Sequence, residues 1–278
     1  MTITPLSQAH LTLLETCDRK YQYVFFDALS APATYDQQLT TQWGNQFHLL
    51  MQQQSLDLPV AAIAGANKDM AASMAALAVA APEVFQDAFK PLTDSEDSED
   101  IKRFRQSEHR RTLAFNNYLL TVIYDQLVMT PEQGQIFDWK THQKPPRQNW
   151  LQKDWQTRLY LYVLCETTEL RPEQISMTYW FVRLGNQKQA RPSSYQFSYS
   201  LVQHQQTEQA LQALTLRLTQ MSERLEFPKV PVGSELCETC VFNVRCDRVS
   251  GGTSVFDSAQ MLREATGISL ESVEEIPL

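Results

Sequence analysis

Residues 118–142 read YLLTVIYDQLVMTPEQGQIFDWKTH, two runs of β-branched and aromatic residues separated by the turn-like PEQG. Such runs pair as neighbouring strands across a short connection. A hairpin this apolar must lie inside a sheet that other layers cover, and this limits the chain more than any other feature does. Side chains two apart on a strand leave the same face, so Asp138 and Lys140 project together. By the same alternation Leu119, Thr121, Ile123, Asp125 and Leu127 share a face of the preceding strand, and the turn can bring Asp125 beside Asp138.

The flanking segments fit a covered sheet. Residues 7–28 follow helical spacing with Ser7 as N-cap, and residues 40–54 read as a second helix. Residues 67–89 look like one or two Ala-rich helices broken at Pro82, and TDSEDSED at 93–100 reads as a solvated acidic linker. RTLAFNN begins the strand region, residues 149–168 form an amphipathic helix, and 175–184 with SYQFSYS at 194–200 supply further strands. A long helix at 202–226 ends before Pro228. The order predicts a mixed α/β core with a helical N-terminal lobe at 1–100, a core at 101–226, a cysteine element at 227–250 and an acidic tail at 251–278.

No apolar run reaches transmembrane length and the start lacks the pattern of a secretion signal, so a cytoplasmic protein without a membrane partner is expected. The net charge of −8 argues against indiscriminate nucleic-acid binding. Its distribution is uneven. Residues 101–191 carry 14 Lys+Arg against 8 Asp+Glu, leaving 10 against 24 for the rest. Arg103, Arg105, Arg110, Arg111, Lys144, Arg147 and Lys153 in this basic island could follow a phosphate backbone. Each could equally be a solvated surface charge.

Two adjacent carboxylates repel unless a cation neutralises them, and hard ions such as Mg²⁺ or Mn²⁺ take oxygen ligands. Asp125 and Asp138 therefore suit a metal, with Lys140 placed to orient a water or stabilise an anionic transition state. A structural salt bridge at a strand end is the plainer alternative. WGNQFHLL sets Gly44 and His48 one helical turn apart, and QTRLY does the same for Gln156 and Tyr160. Alone, each pair reads equally as a boundary face of a helix.

CETCVFNVRC places Cys237, Cys240 and Cys246 in a C-x2-C-x5-C run, one thiolate short of a closed metal site. Cys17 can supply the fourth, while Cys165 lies inside an apolar run and reads as core. Spacing leaves Zn²⁺ and an iron–sulfur cluster equally open.

Asp125, then DWK at 138–140, then QTRLY at 156–160, preceded by GNQFH at 44–48, resembles the PD-(D/E)XK nuclease superfamily, RecB-like branch. The resemblance implies a restriction-endonuclease-like mixed sheet flanked by helices. It also implies a metal (Mg²⁺ or Mn²⁺) held by His48, Asp125, Asp138 and the Trp139 carbonyl, with Lys140 near the attacking water. Gln156 would position the site or substrate, and Tyr160 would pack or contact DNA. In that branch the Asp125 position usually follows a Gly-Arg-Ile-like stretch and precedes Arg; here the glycine is missing and Gln126 takes the basic position. Glu108 falls where some members carry an acid, without an evident role.

Cys17-Asp18-Arg19-Lys20-Tyr21 with the three later cysteines is similar to the iron–sulfur members, among them AddB-type helicase–nucleases and CRISPR-associated four-cysteine exonucleases, with Asp18 replacing their proline. This likeness implies a structural [4Fe–4S] cluster on Cys17, Cys237, Cys240 and Cys246. The activity implied is hydrolysis of DNA, single-stranded or at ends, in repair, recombination or defence. No Gly-x4-Gly-Lys-Ser/Thr loop of a helicase motor is found. A non-catalytic DNA-binding or scaffold protein is the competing reading, against which the intact set of His48, Asp125, Asp138, Lys140 and Gln156 weighs.

Overall fold

The computed structural model describes residues 4–61, 65, 67–85, 104–141, 145–183 and 191–248. The expected acidic linker and tail, and the island residues Arg103 and Lys144, lie outside the described residues. The chain divides into two compact units, Met1–Pro228 and Lys229–Leu278.

The first unit is built on one sheet. Its strands are β1 (Thr4–Leu6), β2 (Phe104–Phe115), β3 (Tyr118–Met129), β4 (Gly134–Lys140), β5 (Ile175–Phe181) and β6 (Ser193–Ser198). The described helices are α1 (Gln8–Thr16), α2 (Asp18–Tyr21), α3 (Tyr35–Ser55), α4 (Lys68–Ala80), α5 (Pro82–Phe85), α6 (Gln148–Lys153), α7 (Trp155–Glu166) and α8 (Leu201–Arg224). The expected mixed sheet flanked by helices is the observed architecture.

β3 is the central strand. β2 pairs antiparallel with it along its whole length, from Phe104 opposite Met129 to Phe115 opposite Tyr118. β1 pairs parallel to its start at residues 118–120, while β4 pairs antiparallel only with its end, the last pair being Gln126 with Phe137. β4 then continues parallel to β5 through Lys140 and Phe181, and β6 closes the sheet against β5. β3 and β4 are therefore apart at Asp125, the residue before Gln126, and beyond Phe137.

Each face of the sheet has its own core. Leu120, Val122, Tyr124, Ile136 and Met177 pack with α1, α7 and α8 through Leu11, Leu159 and Leu211. Val128, Phe137, Trp139 and Trp180 pack on the other side with Trp43, Phe47 and Leu50 of α3 and Met70 and Leu77 of α4. Leu127 joins the first cluster and Val128 the second, so the alternation slips by one residue around Asp125. The expectation that Leu127 shares a face with Leu119, Thr121 and Ile123 fails for this reason.

Three helix expectations also change. The segment 7–28 is broken at Cys17, which is extended (φ −164°, ψ 113°), and resumes as α2 followed by a π-turn at Gln22–Phe26. The break follows from tertiary bonding, because the Arg19 N–H is taken by the Pro228 carbonyl at 3.1 Å. α3 starts at Tyr35, five residues before the expected 40, where Thr34 and Gln37 form a reciprocal capping box. Residues 149–168 split at Asp154, whose carboxylate accepts from the Gln156 N–H at 2.8 Å. The three-residue β1 was not expected.

Asp154 starts α7 afresh and so sets the direction of Gln156. The junction is locked from behind by Thr157, whose hydroxyl lies 2.6 Å from the Leu151 carbonyl and 2.8 Å from the Tyr179 hydroxyl. Thr157 is buried, so Thr157→Val keeps the volume but leaves polar partners unsatisfied. Urea unfolding should register a loss of about 1–3 kcal/mol.

Candidate metal centre

Where β3 and β4 separate, the Trp139 peptide group loses its neighbour on the β3 side, and buried peptide groups need partners. Asp125 meets the N–H: its Oδ2 accepts from Trp139 N at 2.6 Å. His48 meets the carbonyl: its Nε2 lies 3.1 Å from Trp139 O, so that nitrogen carries the proton and donates. The other imidazole nitrogen, Nδ1, faces Asp125 Oδ1 at 3.4 Å and Glu108 Oε1 at 3.9 Å.

Gly44 allows this approach. A Cβ at that position would stand 3.0 Å from Thr141 Oγ1, just beyond the end of β4. The bare backbone brings α3 against the strand, and His48, one turn on, reaches Trp139. Glycine in a helix interior costs about 1 kcal/mol against alanine, which close approach justifies here. Gly44→Val should hold α3 off β4 and weaken Mn²⁺ binding about tenfold in calorimetric titration, with the far-ultraviolet dichroism kept.

On the opposite face Gln156 joins the second carboxylate to the amine. Its Nε2 donates to Asp138 Oδ1 at 2.6 Å and its Oε1 accepts from Lys140 Nζ at 2.7 Å. Lys140 Nζ is also 2.8 Å from Asp138 Oδ2 and 5.0 Å from the centre of the Tyr179 ring. That Oδ2 is buried, with the Lys140 ammonium as its ion-pair partner. Tyr160, one turn beyond Gln156, is 4 % exposed and packs edge-on to Tyr124 at 5.3 Å. It is walled into the core behind the site.

Glu108 was left without a role by the sequence. Its ligand atom, with those of His48 and Asp125, lies within a 4.8 Å span. It stands opposite Asp125 between the pairs Ser107–Gln126 and His109–Tyr124, at φ 50°, a left-handed value costly for a side chain with a Cβ. The Ser107 hydroxyl donates to the Asp125 carbonyl there at 3.0 Å. The strand signal conceals such a residue, because the pattern on either side of it is unbroken.

Burial alone would lower the His48 imidazole. Its contacts with Asp125 and Glu108, and the charges of Asp125 and Asp138, instead push it up to about 10. Burial raises Asp125, helped by Asp138 and opposed by His48. Histidine ligation requires an unprotonated nitrogen, so a bound ion must displace the Nδ1 proton. Apparent Mn²⁺ affinity should accordingly rise with pH between 6 and 8, by roughly tenfold per unit for each proton released. In a His48→Asn variant the dependence should flatten.

The donor set of imidazole, carboxylates and a backbone carbonyl fits a divalent ion that accepts oxygen and one nitrogen, Mn²⁺ more readily than Mg²⁺. His48, Asp125 and Glu108 would hold it, with the Trp139 carbonyl beside His48; Asp138, expected as a ligand, lies outside that group and is engaged by Lys140 and Gln156.

The profile of the PD-(D/E)XK nuclease superfamily matches residues 5–247. The chain belongs to this superfamily. PD-(D/E)XK nucleases generally work with divalent metal ions, and DNA is the substrate that membership implies. Among solved structures the chain is similar to an exonuclease candidate from Eubacterium rectale, with 11% identity, 94% of this chain and 92% of that chain covered and a TM-score of 0.48. It is also similar to SSO0001, with 11% identity, 90% of each chain covered and a TM-score of 0.37. No curated protein matches it.

The departures from the PD-(D/E)XK pattern have local explanations. Gln126 is buried, and in the amide orientation that satisfies both groups its oxygen accepts from Arg105 at 2.5 and 2.9 Å. A neighbouring strand thus brings a guanidinium to the position where Arg was expected in sequence. Arg105 also bonds the Val84 carbonyl, and Arg111 is held by Thr167 at 2.9 and 3.0 Å, so both island residues are tied into the fold. Arg110, Arg147 and Lys153 are exposed.

In the second unit the chain coils through successive turns. The Cys237 carbonyl accepts from Cys240 N–H at 3.2 Å, the Cys240 carbonyl from Asn243 N–H at 3.0 Å, and the Cys246 carbonyl from Lys229 Nζ at 3.0 Å. Among the described residues of this unit, Cys237, Cys240 and Cys246 do not gather as a group of three close ligand atoms. No described helix is long and apolar enough to cross a membrane.

Proposed function

We propose that this PD-(D/E)XK nuclease is a Mg²⁺- or Mn²⁺-dependent deoxyribonuclease of the RecB-like branch, acting on single-stranded DNA or DNA ends in repair, recombination or defence. The observation that carries this reading is the Gln156 amide, which holds Asp138 and Lys140 at once while Asp125 and His48 hold the Trp139 peptide between them. A bound divalent ion supplies an activated water and relief of the charge that builds on the phosphate. Lys140 stands at the edge of the carboxylates as a fixed cation. It orients the attacking water and stabilises the same developing charge. Asp125 and Asp138 provide the negative field that draws the ion in, and Tyr160 backs the helix that carries Gln156. Exposed Arg110, Arg147 and Lys153 supply sequence-independent attraction for the backbone.

We assign Cys17, Cys237, Cys240 and Cys246 to a structural [4Fe–4S] cluster. Support comes from the four-cysteine order and from Cys17 standing in extended backbone at a helix break, where its side chain leaves the helical pattern. The ligands lie about 220 residues apart in sequence. By analogy with a disulfide over so long a loop, the link would stabilise by roughly 5 kcal/mol. The working organisation is a helical lobe at 1–100, a nuclease core at 101–226, a cluster element at 227–250 and a tail at 251–278. Cytoplasmic residence suits such a cluster.

Asp138→Ala and Lys140→Ala should each abolish Mn²⁺-dependent degradation of labelled oligonucleotides while DNA binding persists. Unchanged cleavage in either variant would rule out the site. Anaerobically purified protein should carry about four iron atoms. Cys240→Ala should lose that iron and the brown colour; a zinc content in place of iron would replace the cluster with a Zn²⁺ site.

A further inference from the structure

At the far end of α7 from Gln156 a second set of ligating atoms comes together. Cys165 Sγ, a Glu166 carboxylate oxygen and a His204 ring nitrogen all lie within 4.8 Å of one another. Glu166 closes α7 and His204 stands in the first turn of α8. At about 1.5 Å per residue, Cys165 is about 14 Å along the helix from Gln156, so the set is separate from the centre at His48. Cys165, expected in the core from its apolar run, is only half-buried against it.

The imidazole is held in place. Its Nδ1 meets the Tyr199 hydroxyl at 3.2 Å, and its ring stacks on Tyr162 with centroids 4.8 Å apart. Nε2 is thereby turned to Glu166 Oε1 at 3.1 Å. A partner on one ring nitrogen that fixes the aim of the other is the usual support of a metal-binding histidine. The His204 side chain is 12 % exposed and that of Glu166 40 %, so the set opens to water on the Glu166 side.

A thiol–imidazole nucleophile pair does not fit this geometry. The Cys165 thiol donates to the Leu170 carbonyl at 3.5 Å, and both His204 nitrogens face other groups. Burial, with the Glu166 and Glu173 carboxylates, pushes that thiol up to about 11, the opposite of activation. One sulfur, one nitrogen and one carboxylate oxygen suit a borderline-soft ion, whereas Mg²⁺ and Mn²⁺ favour oxygen. A tetrahedral zinc site sets its ligand atoms roughly 3.3–3.8 Å apart, so closing this set takes a side-chain adjustment of about an ångström. We propose that Cys165, Glu166 and His204 form a Zn²⁺ site, with the fourth position open to water. Binding releases the thiol and Nε2 protons, and the ion pins the end of α7 to the start of α8.

The test is Zn²⁺ uptake by the full chain, purified anaerobically and dialysed against Zn²⁺ in an excess of Mn²⁺. The wild type should bind one Zn²⁺ per chain more than Cys165→Ser or His204→Gln. Uptake at the other cysteines and at His48 is common to all three proteins and cancels. Co²⁺ in place of Zn²⁺ should give a thiolate-to-metal charge-transfer absorbance in the wild type, part of which Cys165→Ser lacks. Zn²⁺ at about a hundred times its Kd should raise the wild-type Tm by about 5–10 °C more than that of His204→Gln.

Equal Zn²⁺ uptake by the wild type and both variants would overturn the site, as would an undiminished cobalt absorbance in Cys165→Ser or the same thermal shift in His204→Gln. Should Cys165→Ser fail to fold, His204→Gln decides alone, an uptake equal to that of the wild type refuting the site. None of these readouts uses cleavage, so the result is independent of the nuclease assignment of the centre at His48.

Discussion

The peptide group of Trp139 is the hinge of the architecture. Where β4 leaves β3 its N–H and carbonyl must be satisfied, and the chain meets that demand with Asp125 and His48 at 2.6 and 3.1 Å. One backbone unit thereby fixes a carboxylate from the central strand and an imidazole from the N-terminal lobe. Removing either partner would leave a buried polar group unpaired, so the requirement of folding and the requirement of the site coincide. The same separation of strands lets Asp138, next after the last pair on β4, remain free of the ladder on the β3 side.

On the other face a second constraint operates through Gln156. An amide carries its donor and its acceptor on separate atoms, so one neutral side chain can donate to a carboxylate and accept from an ammonium, and Gln156 does both at 2.6 and 2.7 Å. Its orientation traces back to Asp154, which ends α6 and caps α7, and to Thr157, which ties that junction to Tyr179. The residues of the centre are thus held by groups several ångströms behind them, as precise sites require.

Much of this was legible in the sequence because the strand runs are long and their period unambiguous. Asp125, Asp138 and Lys140 could be placed on adjacent strands from the turn between them, and the one-turn pairs Gly44–His48 and Gln156–Tyr160 could be set on helices. What escaped was set by contacts distant in sequence. Cys17 interrupts an unbroken helical pattern because Arg19 bonds to Pro228. Glu108 adopts a left-handed backbone inside a regular strand pattern, and the alternation slips at Asp125 opposite it, displacing Leu127 to the other core. Functional positions that break local rules are those a local reading misses. Two island residues, Arg105 and Arg111, were legible as charges but not as internal anchors.

The central claim is that these groups converge on one divalent ion. Diffraction from crystals soaked in Mn²⁺, recorded where manganese scatters anomalously, tests it most directly. The account predicts a single strong anomalous peak within coordination distance of His48, Asp125 and Glu108, beside the Trp139 carbonyl, which disappears in Asp125→Asn crystals. A peak elsewhere on the sheet, or none in crystals that bind manganese in solution, would contradict it.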